Sequence, residues 1–167
     1  MQELIHTLKE RRLGILYILK MVPMEIWDWA PNKTMRNTAD LANHLACSPL
    51  SIYELLQGNL KDEDALNILE KNNMPLNASG LIKNYENGLK RLIEFCNNHL
   101  EDSKDIKVQF FYQSIPSTVY NEVLEEIGHE WFHLGQLYVY LKQNGIDLEM
   151  GNYYGYKDPD PNIIPNK

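Results

Sequence analysis

The strongest constraint on the fold is a segment near the C-terminal end, residues 127–141, in which almost every residue is apolar, aromatic or glycine. Its strongly polar residues are His129, Glu130, His133 and Gln136. A helix that is apolar on most sides must be buried on most sides, so this segment needs other helices around it. We predict that it belongs to the longest helix of the chain, roughly residues 118–144, which Gly145 ends.

Three further long helices are predicted from hydrophobic periodicity. Apolar residues recur at spacings of three, four or seven over residues 2–22, which is typical of one face of a helix. A second helix begins at Asn37 or Thr38, and Ser48-Pro49 either kinks it or restarts it. The third begins at Asn77 or Ser79 and ends near Glu101.

The remaining segments favour an all-α protein. A short acidic helix is predicted over residues 62–71, and the one β-like run, at 108–112, is too short to make a sheet. Residues 146–167 have the Gly, Pro and Asn content of an irregular tail, whose tyrosines indicate that its first half packs back on the body. The length of 167 residues predicts a single domain, 1–167, built as a four-helix bundle with a short extra helix and this tail.

Charge and hydropathy exclude several classes of protein. Lysine and arginine total 16 against 23 acidic residues, and the net charge of -7 has the wrong sign for gripping nucleic acid phosphates. No stretch is long and apolar enough for a membrane helix, and the charged N-terminus is unlike a signal peptide. We expect a cytoplasmic protein with small-molecule partners, no nucleic acid and no membrane. Cys47 and Cys96 lack metal-binding spacing and are interpreted as reduced, packed thiols.

Three histidines form the main candidate site. His129 and His133 are four residues apart, so their side chains stand one turn from each other on one helix face, close enough for both to reach one cation. His44, between Leu41 and Leu45 on the second helix, is a candidate third ligand. From spacing alone, core histidines bonded to carbonyls explain the pattern better than a metal does. Together the three would form a His₃ site with an open position, as in catalytic zinc centres.

Two other metal-enzyme patterns can be weighed against this one. Residues 129–133 spell HExxH, the zinc-peptidase signature, but Val139 stands where its extended form has a third histidine, and Glu149 is the only later glutamate. ExxH occurs three times, as in di-iron bundles, yet His6 lies at the start of its helix and is poorly placed for such a site. We interpret the peptidase match as accidental, and His6 and His99 as surface residues.

Resemblance to a known family is carried by three stretches: IWDWAPNKTMRNTADLANHLA, IPSTVYNEVLEEIGHEWFHLGQLYVYLKQNGI and YYGY. They resemble the DinB/YfiT-like superfamily of bacterial four-helix proteins over nearly the whole chain. The resemblance places the family's metal-binding histidines on His44, His129 and His133. It implies one divalent metal ion per chain, with zinc or nickel ahead of iron or manganese. Leu134 departs from many relatives, which have His or Arg there; this changes the cavity wall but not the ligands.

The same resemblance bears on activity. Some members are similar to transferases that add a low-molecular-weight thiol, such as bacillithiol or mycothiol, to electrophilic substrates. It therefore implies a metal-dependent thiol S-transferase, or a related hydrolase, that acts on small electrophilic substrates with the thiol as cosubstrate. The alternative is a non-enzymatic bundle, with a stabilising or vestigial metal, that serves as a binding or stress-response module. Dimerisation through an apolar helix face is a further expectation, and an open cavity beside the histidines would distinguish the enzyme from the alternative.

Several other residues have candidate catalytic roles. Glu126 and Glu130 are expected to orient a ligating imidazole or to carry a proton, although an ordinary charged helix position explains either one. Gln136 is expected to reach toward the open coordination position, or to be a buried amide bonded to the backbone. The tryptophans are expected to wall the pocket or to belong to the core, and they are Trp27, Trp29 and Trp131.

Overall fold

The computed structural model describes residues 1–155, and its body consists of four long helices with two shorter ones. In chain order the helices are α1 (Gln2–Lys20), α2 (Thr38–Leu56), α3 (Glu63–Asn72), α4 (Ala78–Asn98), α5 (Val119–Gln143) and α6 (Met150–Tyr153). Helix α2 packs against both α4 and α5, and α1 packs against the same two helices from the other side of the bundle. The predicted all-α bundle with a short extra helix is confirmed.

Side-chain caps decide where the inner helices begin. At each start, a side-chain oxygen accepts a hydrogen bond from a backbone N–H of the first turn, which would otherwise have no partner. The caps are Asn37 for α2, Asp62 for α3, Asn77 for α4 and Thr118 for α5. At the other end of α5, Gly145 adopts a φ of 76°, as the predicted helix stop requires.

Helix α2 runs as one element through Pro49, so of the two alternatives predicted at Ser48-Pro49, a kink or a restart, the restart does not occur. Proline removes one backbone hydrogen bond from a helix interior. Here α4 and α5 pack along α2 over this stretch, and both Ser48 and Pro49 are buried. Tertiary packing therefore holds the helix across the missing bond.

A minimal two-stranded sheet precedes α5, where we predicted no sheet. Strand β1 (Lys107–Val108) pairs antiparallel with β2 (Ser117–Thr118), and Lys107 lies opposite Thr118. Most of the β-like run at 108–112 forms the loop between the strands, in which Phe110 is buried against the core. The pairing anchors this loop beside the start of α5.

The segment after α5 is more regular than the predicted irregular tail, since residues 150–153 form α6 on the surface of α1. The ring of Tyr153 packs 5.0 Å from that of Tyr138, so the tyrosine packing is confirmed. A Cβ at Gly14 of α1 would lie 2.1 Å from the Tyr153 carbonyl oxygen, so this approach needs glycine. The rest of the predicted tail, 156–167, lies outside the described residues.

The structure agrees with the interpretation of the cysteines and of His6 as a surface residue, whereas His99 is half-buried against Phe95. Cys47 and Cys96 are buried and free, and burial raises the pKa of each thiol to about 12. His6 is exposed beside Glu10, and His99 lies at the end of α4 beside Asp102, so neither histidine joins the central cluster. Among the described helices, none has both the length and the apolar character needed to cross a membrane.

The close contact between α4 and α2 provides a test of the packing. A Cβ at Gly88 would lie 2.7 Å from the backbone nitrogen of Leu50, whereas a Cβ at Gly128 of α5 would meet no atom within 4 Å. We expect Gly88→Ala to lower the free energy of unfolding by about 1–3 kcal/mol, because the two helices must separate. Gly128→Ala should be neutral or stabilising by up to about 1 kcal/mol, since alanine favours helix. Urea unfolding of both variants measures this, and equal stability would contradict the close contact.

Candidate metal centre

The histidines expected at the site converge from two facing helices. His44 comes from α2, while His129 and His133 come from successive turns of α5. One ring nitrogen from each of the three lies within 4.8 Å of the other two, and no other group of potential ligands in residues 1–155 meets this criterion. The packing of α2 against α5 therefore completes a cluster of which the sequence spacing could supply only two members.

The distance between the ring nitrogens of His44 and His129 fits a shared metal ion. The Nε2 atoms of His44 and His129 are 3.2 Å apart. Two imidazole nitrogens that bind a tetrahedral zinc at about 2.0–2.1 Å lie about 3.3 Å from each other. Imidazole nitrogens are also ligands that suit zinc, nickel, copper and iron. The donor set and its spacing thus match a divalent ion held between the two helices.

Two of the imidazoles are oriented by side-chain oxygens behind them. The Nδ1 atom of His44 is 2.6 Å from Oε1 of Glu70, and that of His133 is 2.7 Å from Oε1 of Gln136. When each Nδ1–H donates to these oxygens, the lone pair of Nε2 is left for a metal. Gln136, expected either to reach toward an open coordination position or to be a buried amide bonded to the backbone, has its amide oxygen behind His133.

The third imidazole is oriented through a serine. Ser48 donates a 2.5 Å hydrogen bond to Oε1 of Glu126, and its oxygen lies 2.8 Å from Nδ1 of His129. With its proton committed to Glu126, the Ser48 oxygen accepts from the Nδ1–H of His129. Oε2 of Glu126 is itself 3.5 Å from the same Nδ1. Glu126 therefore lies beside His129, which it contacts mainly through Ser48.

Sequence reasoning missed Glu70, which belongs to the short acidic helix α3. Burial raises the pKa of this carboxyl, but the hydrogen bond and charge of His44, together with Arg36, outweigh burial and lower it below its ordinary value. Its backbone carbonyl also accepts a 2.9 Å hydrogen bond from the amide of Asn43 on α2. The acidic composition of α3 gave no signal of this role, because the other acidic residues of that helix face solvent.

Glu130 lies away from the histidines. It is one residue beyond His129, so it points to another face of α5, and its side chain is 1% exposed near Tyr85 of α4. Burial, and then the charge of Glu126, raise the pKa of this carboxyl well above its usual range. Its oxygens have no hydrogen bond of normal geometry. Glu130 thus lacks the position of a general base, and the interpretation of HExxH as accidental agrees with the geometry.

A cavity of about 320 Å³ adjoins the cluster, and both His44 and His129 line it. Apolar side chains form one wall, and they are Ile52, Leu55 and Leu66. None of the three tryptophans lines this cavity, so of their two expected places, the pocket wall and the core, they occupy the second. Trp29 packs edge-on against Tyr140, and Trp131 lies under the guanidinium of Arg11 at 3.9 Å. These tryptophans therefore pack against other side chains of the bundle.

The electrostatics of the cluster keep one ligand neutral. Burial, followed by the positive charge that His129 and His44 carry when protonated, lowers the pKa of His133 to about 4. A neutral imidazole offers a lone pair, whereas the protonated form cannot bind a metal. His133 is therefore ready to bind a metal at neutral pH.

Comparisons with known proteins agree with the fold. The model of the DinB family matches residues 1–166. A solved DinB-like protein from Bacillus cereus aligns with a TM-score of 0.71 at 13% identity, covering 89% of this chain and 95% of its own. A DinB-like protein from Bacillus subtilis, YjoA, aligns with a TM-score of 0.64 at 14% identity, covering 88% and 94%. Among curated proteins, none matches this chain.

The low pKa of His133 predicts a pH dependence for the metal-free protein. Its unfolded imidazole takes up a proton near pH 6.5, but the folded one resists protonation until about pH 4. The contribution of His133 to stability is therefore constant above pH 6.5 and is lost as the pH falls from 6.5 to 4, because only the unfolded state binds the proton there. A proton NMR titration, assigned with His133→Gln, should give a midpoint near 4. A midpoint near 6.5 would contradict the burial of this ring.

Proposed function

Since this chain belongs to the DinB family, we propose that it is a metal-dependent enzyme in which His44, His129 and His133 hold one divalent metal ion. The observation that carries this proposal is the convergence of three ring nitrogens within 4.8 Å beside a cavity large enough for a small molecule. We assign zinc or nickel as the metal, with iron, which imidazole ligands also accept, or manganese as the alternatives.

The residues around the cluster would prepare it for this role. A divalent ion bound by three neutral imidazoles is a Lewis acid that lowers the pKa of a coordinated water or thiol toward neutrality. Glu70 and Gln136 each accept the Nδ1 hydrogen of one ligand, which fixes the ring orientation and directs Nε2 inward. Ser48 does the same for His129 through its bond to Glu126. Every ligand thus has a partner that selects one tautomer.

The reaction we propose is transfer of a low-molecular-weight thiol to a small electrophile, with hydrolysis of such an electrophile as the related case. In the transfer, the thiol sulfur forms a bond to an electrophilic carbon, and the leaving group departs with its bonding electrons. The thiol proton passes to a base. We assign that base as Glu126, which lines the cavity and lies 3.5 Å from His129.

A non-enzymatic bundle with a metal that only stabilises the fold is the competing function. A structural metal site is closed by its ligands, whereas a catalytic one keeps an open position that a substrate can reach. Here the cavity reaches two of the three histidines, His44 and His129. This access supports the enzyme over the structural metal.

The metal content of the purified chain tests the ligand set. We expect about one ion per chain when the protein is prepared without a metal-binding tag, measured by mass spectrometry. His44→Ala should reduce this to less than about a tenth, because two imidazoles on one helix bind far more weakly than three. Helical content should persist in the variant by circular dichroism.

The matched control is His6→Ala, which removes an exposed histidine far from the cluster. This variant should keep its full metal content. Undiminished metal in His44→Ala would refute the ligand set, and absence of metal from the parent protein after reconstitution would refute the metal centre.

Turnover tests the enzymatic part of the proposal. The zinc- or nickel-loaded protein is mixed with bacillithiol, mycothiol or cysteine and a chloro-dinitrobenzene electrophile, and formation of the thioether is followed by absorbance. We expect a rate above the uncatalysed reaction, which falls by about 100-fold or more in His133→Ala. Glu130→Gln should keep the rate, since that carboxyl lies outside the cavity. A metal-loaded protein that is inactive with every thiol and electrophile would favour the structural metal.

A further inference from the structure

The cavity beside the histidine cluster is strongly acidic. Four glutamates line it, and they are Glu70, Glu122, Glu125 and Glu126. Within the part of the chain that the structure describes, no lysine or arginine lines this cavity. A site that binds a carboxylate or phosphate substrate needs positive charge, whereas the charge that lines this cavity is negative.

One of these carboxylates, Glu70, pairs with an arginine, whereas Glu126 has the imidazole of His129, 3.5 Å from its Oε2, as its basic partner. Glu70 contacts both Arg36 and His44. Glu122 is 2% exposed and accepts a hydrogen bond from the neutral amide of Gln113, and Glu126 is 7% exposed beside Ser48. Hydrogen bonds from neutral groups satisfy a carboxylate oxygen but leave its charge in place. The interior wall of the cavity thus holds negative charge that no lysine or arginine side chain there offsets.

Tyr112 also lines this cavity and is affected by the same negative charges. Burial, followed by the charges of Glu122, Glu126 and Glu125, raises the pKa of this phenol to about 12. The potential that opposes a phenolate also opposes any other anion at this place, and it favours a cation. The exposed face of the ring adds a surface that attracts organic cations.

A second feature of the wall indicates a ligand rather than a solvated acidic patch. Ser51 lines the cavity, is 9% exposed, and its buried hydroxyl has no hydrogen-bond partner. An unpaired buried hydroxyl costs about 1–3 kcal/mol, which a polar atom of a bound molecule would offset. Opposite the acidic groups lie the apolar side chains of Ile52, Leu55 and Leu66. The wall is therefore split into a negative part and an apolar part.

We propose that this cavity binds a small organic cation with a short apolar arm, and that such a cation is the electrophilic substrate of the enzyme proposed above. The positive group would lie among Glu122, Glu125 and Glu126, and the arm against the apolar wall. A volume of about 320 Å³ accommodates a molecule of this size. The identity of the substrate rests on the proposed function, whereas the preference for a cation rests on the cavity alone.

The test compares three probes with the same six-carbon arm and different charges. Hexyltrimethylammonium is the cation, 1-hexanol the neutral probe and hexanoate the anion, and each is titrated calorimetrically into metal-free and into zinc-loaded protein. A quaternary ammonium has no lone pair, so it cannot bind by ligating the metal. We expect the cation to bind at least about tenfold more tightly than the alcohol, and the anion not to bind the metal-free protein. The affinity of the cation should fall as salt is raised.

A variant that removes one negative charge from the cavity tests whether the cation binds there. Glu125 is exposed at the rim of the cavity, so Glu125→Gln removes a charge without disturbing a buried bond. It should weaken binding of hexyltrimethylammonium by roughly three- to tenfold and leave 1-hexanol unchanged. Glu101→Gln, which removes an exposed charge away from the cavity, should have no effect on either probe.

Equal affinity for the alcohol and the cation, or a cation affinity that Glu125→Gln leaves unchanged, would overturn the inference. These outcomes are separate from failure of the proposed function. Cation binding by the metal-free protein, without turnover in the metal-loaded protein, would refute the enzyme and support the cavity preference. Turnover that is faster for neutral than for cationic electrophiles would refute the preference and support the enzyme.

Discussion

The packing of α2 against α5 is the constraint on which the candidate site depends. It brings His44 to within 3.2 Å of His129, between their Nε2 atoms, and it places the cavity at the same junction. Two unprotonated ring nitrogens at this distance repel each other unless a proton or a cation lies between them. The apolar packing that stabilises the bundle therefore also holds these ring nitrogens close together. A divalent ion between them would remove the repulsion.

Burial of the three imidazoles also explains why polar groups surround the cluster. A buried polar atom is costly unless it has a hydrogen-bond partner, so each imidazole that enters the bundle needs an acceptor behind it. Glu70, Ser48 and Gln136 supply these acceptors from three different helices. Glu130 is the exception, because its carboxyl is buried without such a partner and has a raised pKa. Thus His129 and Glu130 are adjacent in α5 but have different roles, because they lie on different faces of the helix.

The cavity owes its shape to elements outside the four long helices. The short helix α3 contributes Glu70 and Leu66, and the loop between β1 and β2 contributes Tyr112. Pairing of β1 with β2 anchors this loop next to the start of α5, where Glu122 and Glu126 face it. The bundle therefore carries the three histidines, while its connections decide the size and charge of the space beside them.

The sequence alone determined the four long helices, most of their caps and the pair His129 and His133, because these depend on local periodicity and on spacing within one helix. His44 is a candidate third ligand from its place on the second helix, and the family resemblance strengthens that assignment, but no local pattern relates it to α5. Only the tertiary structure decided that Glu70 and Ser48 orient two of the imidazoles, that Gln136 turns behind His133, and that Glu130 faces the core. Apart from the contact between Gln136 and His133 within α5, such contacts join residues up to 81 positions apart, as between Ser48 and His129. They arise from how helices pack, and side-chain direction across a packed interface is not encoded in spacing along either helix.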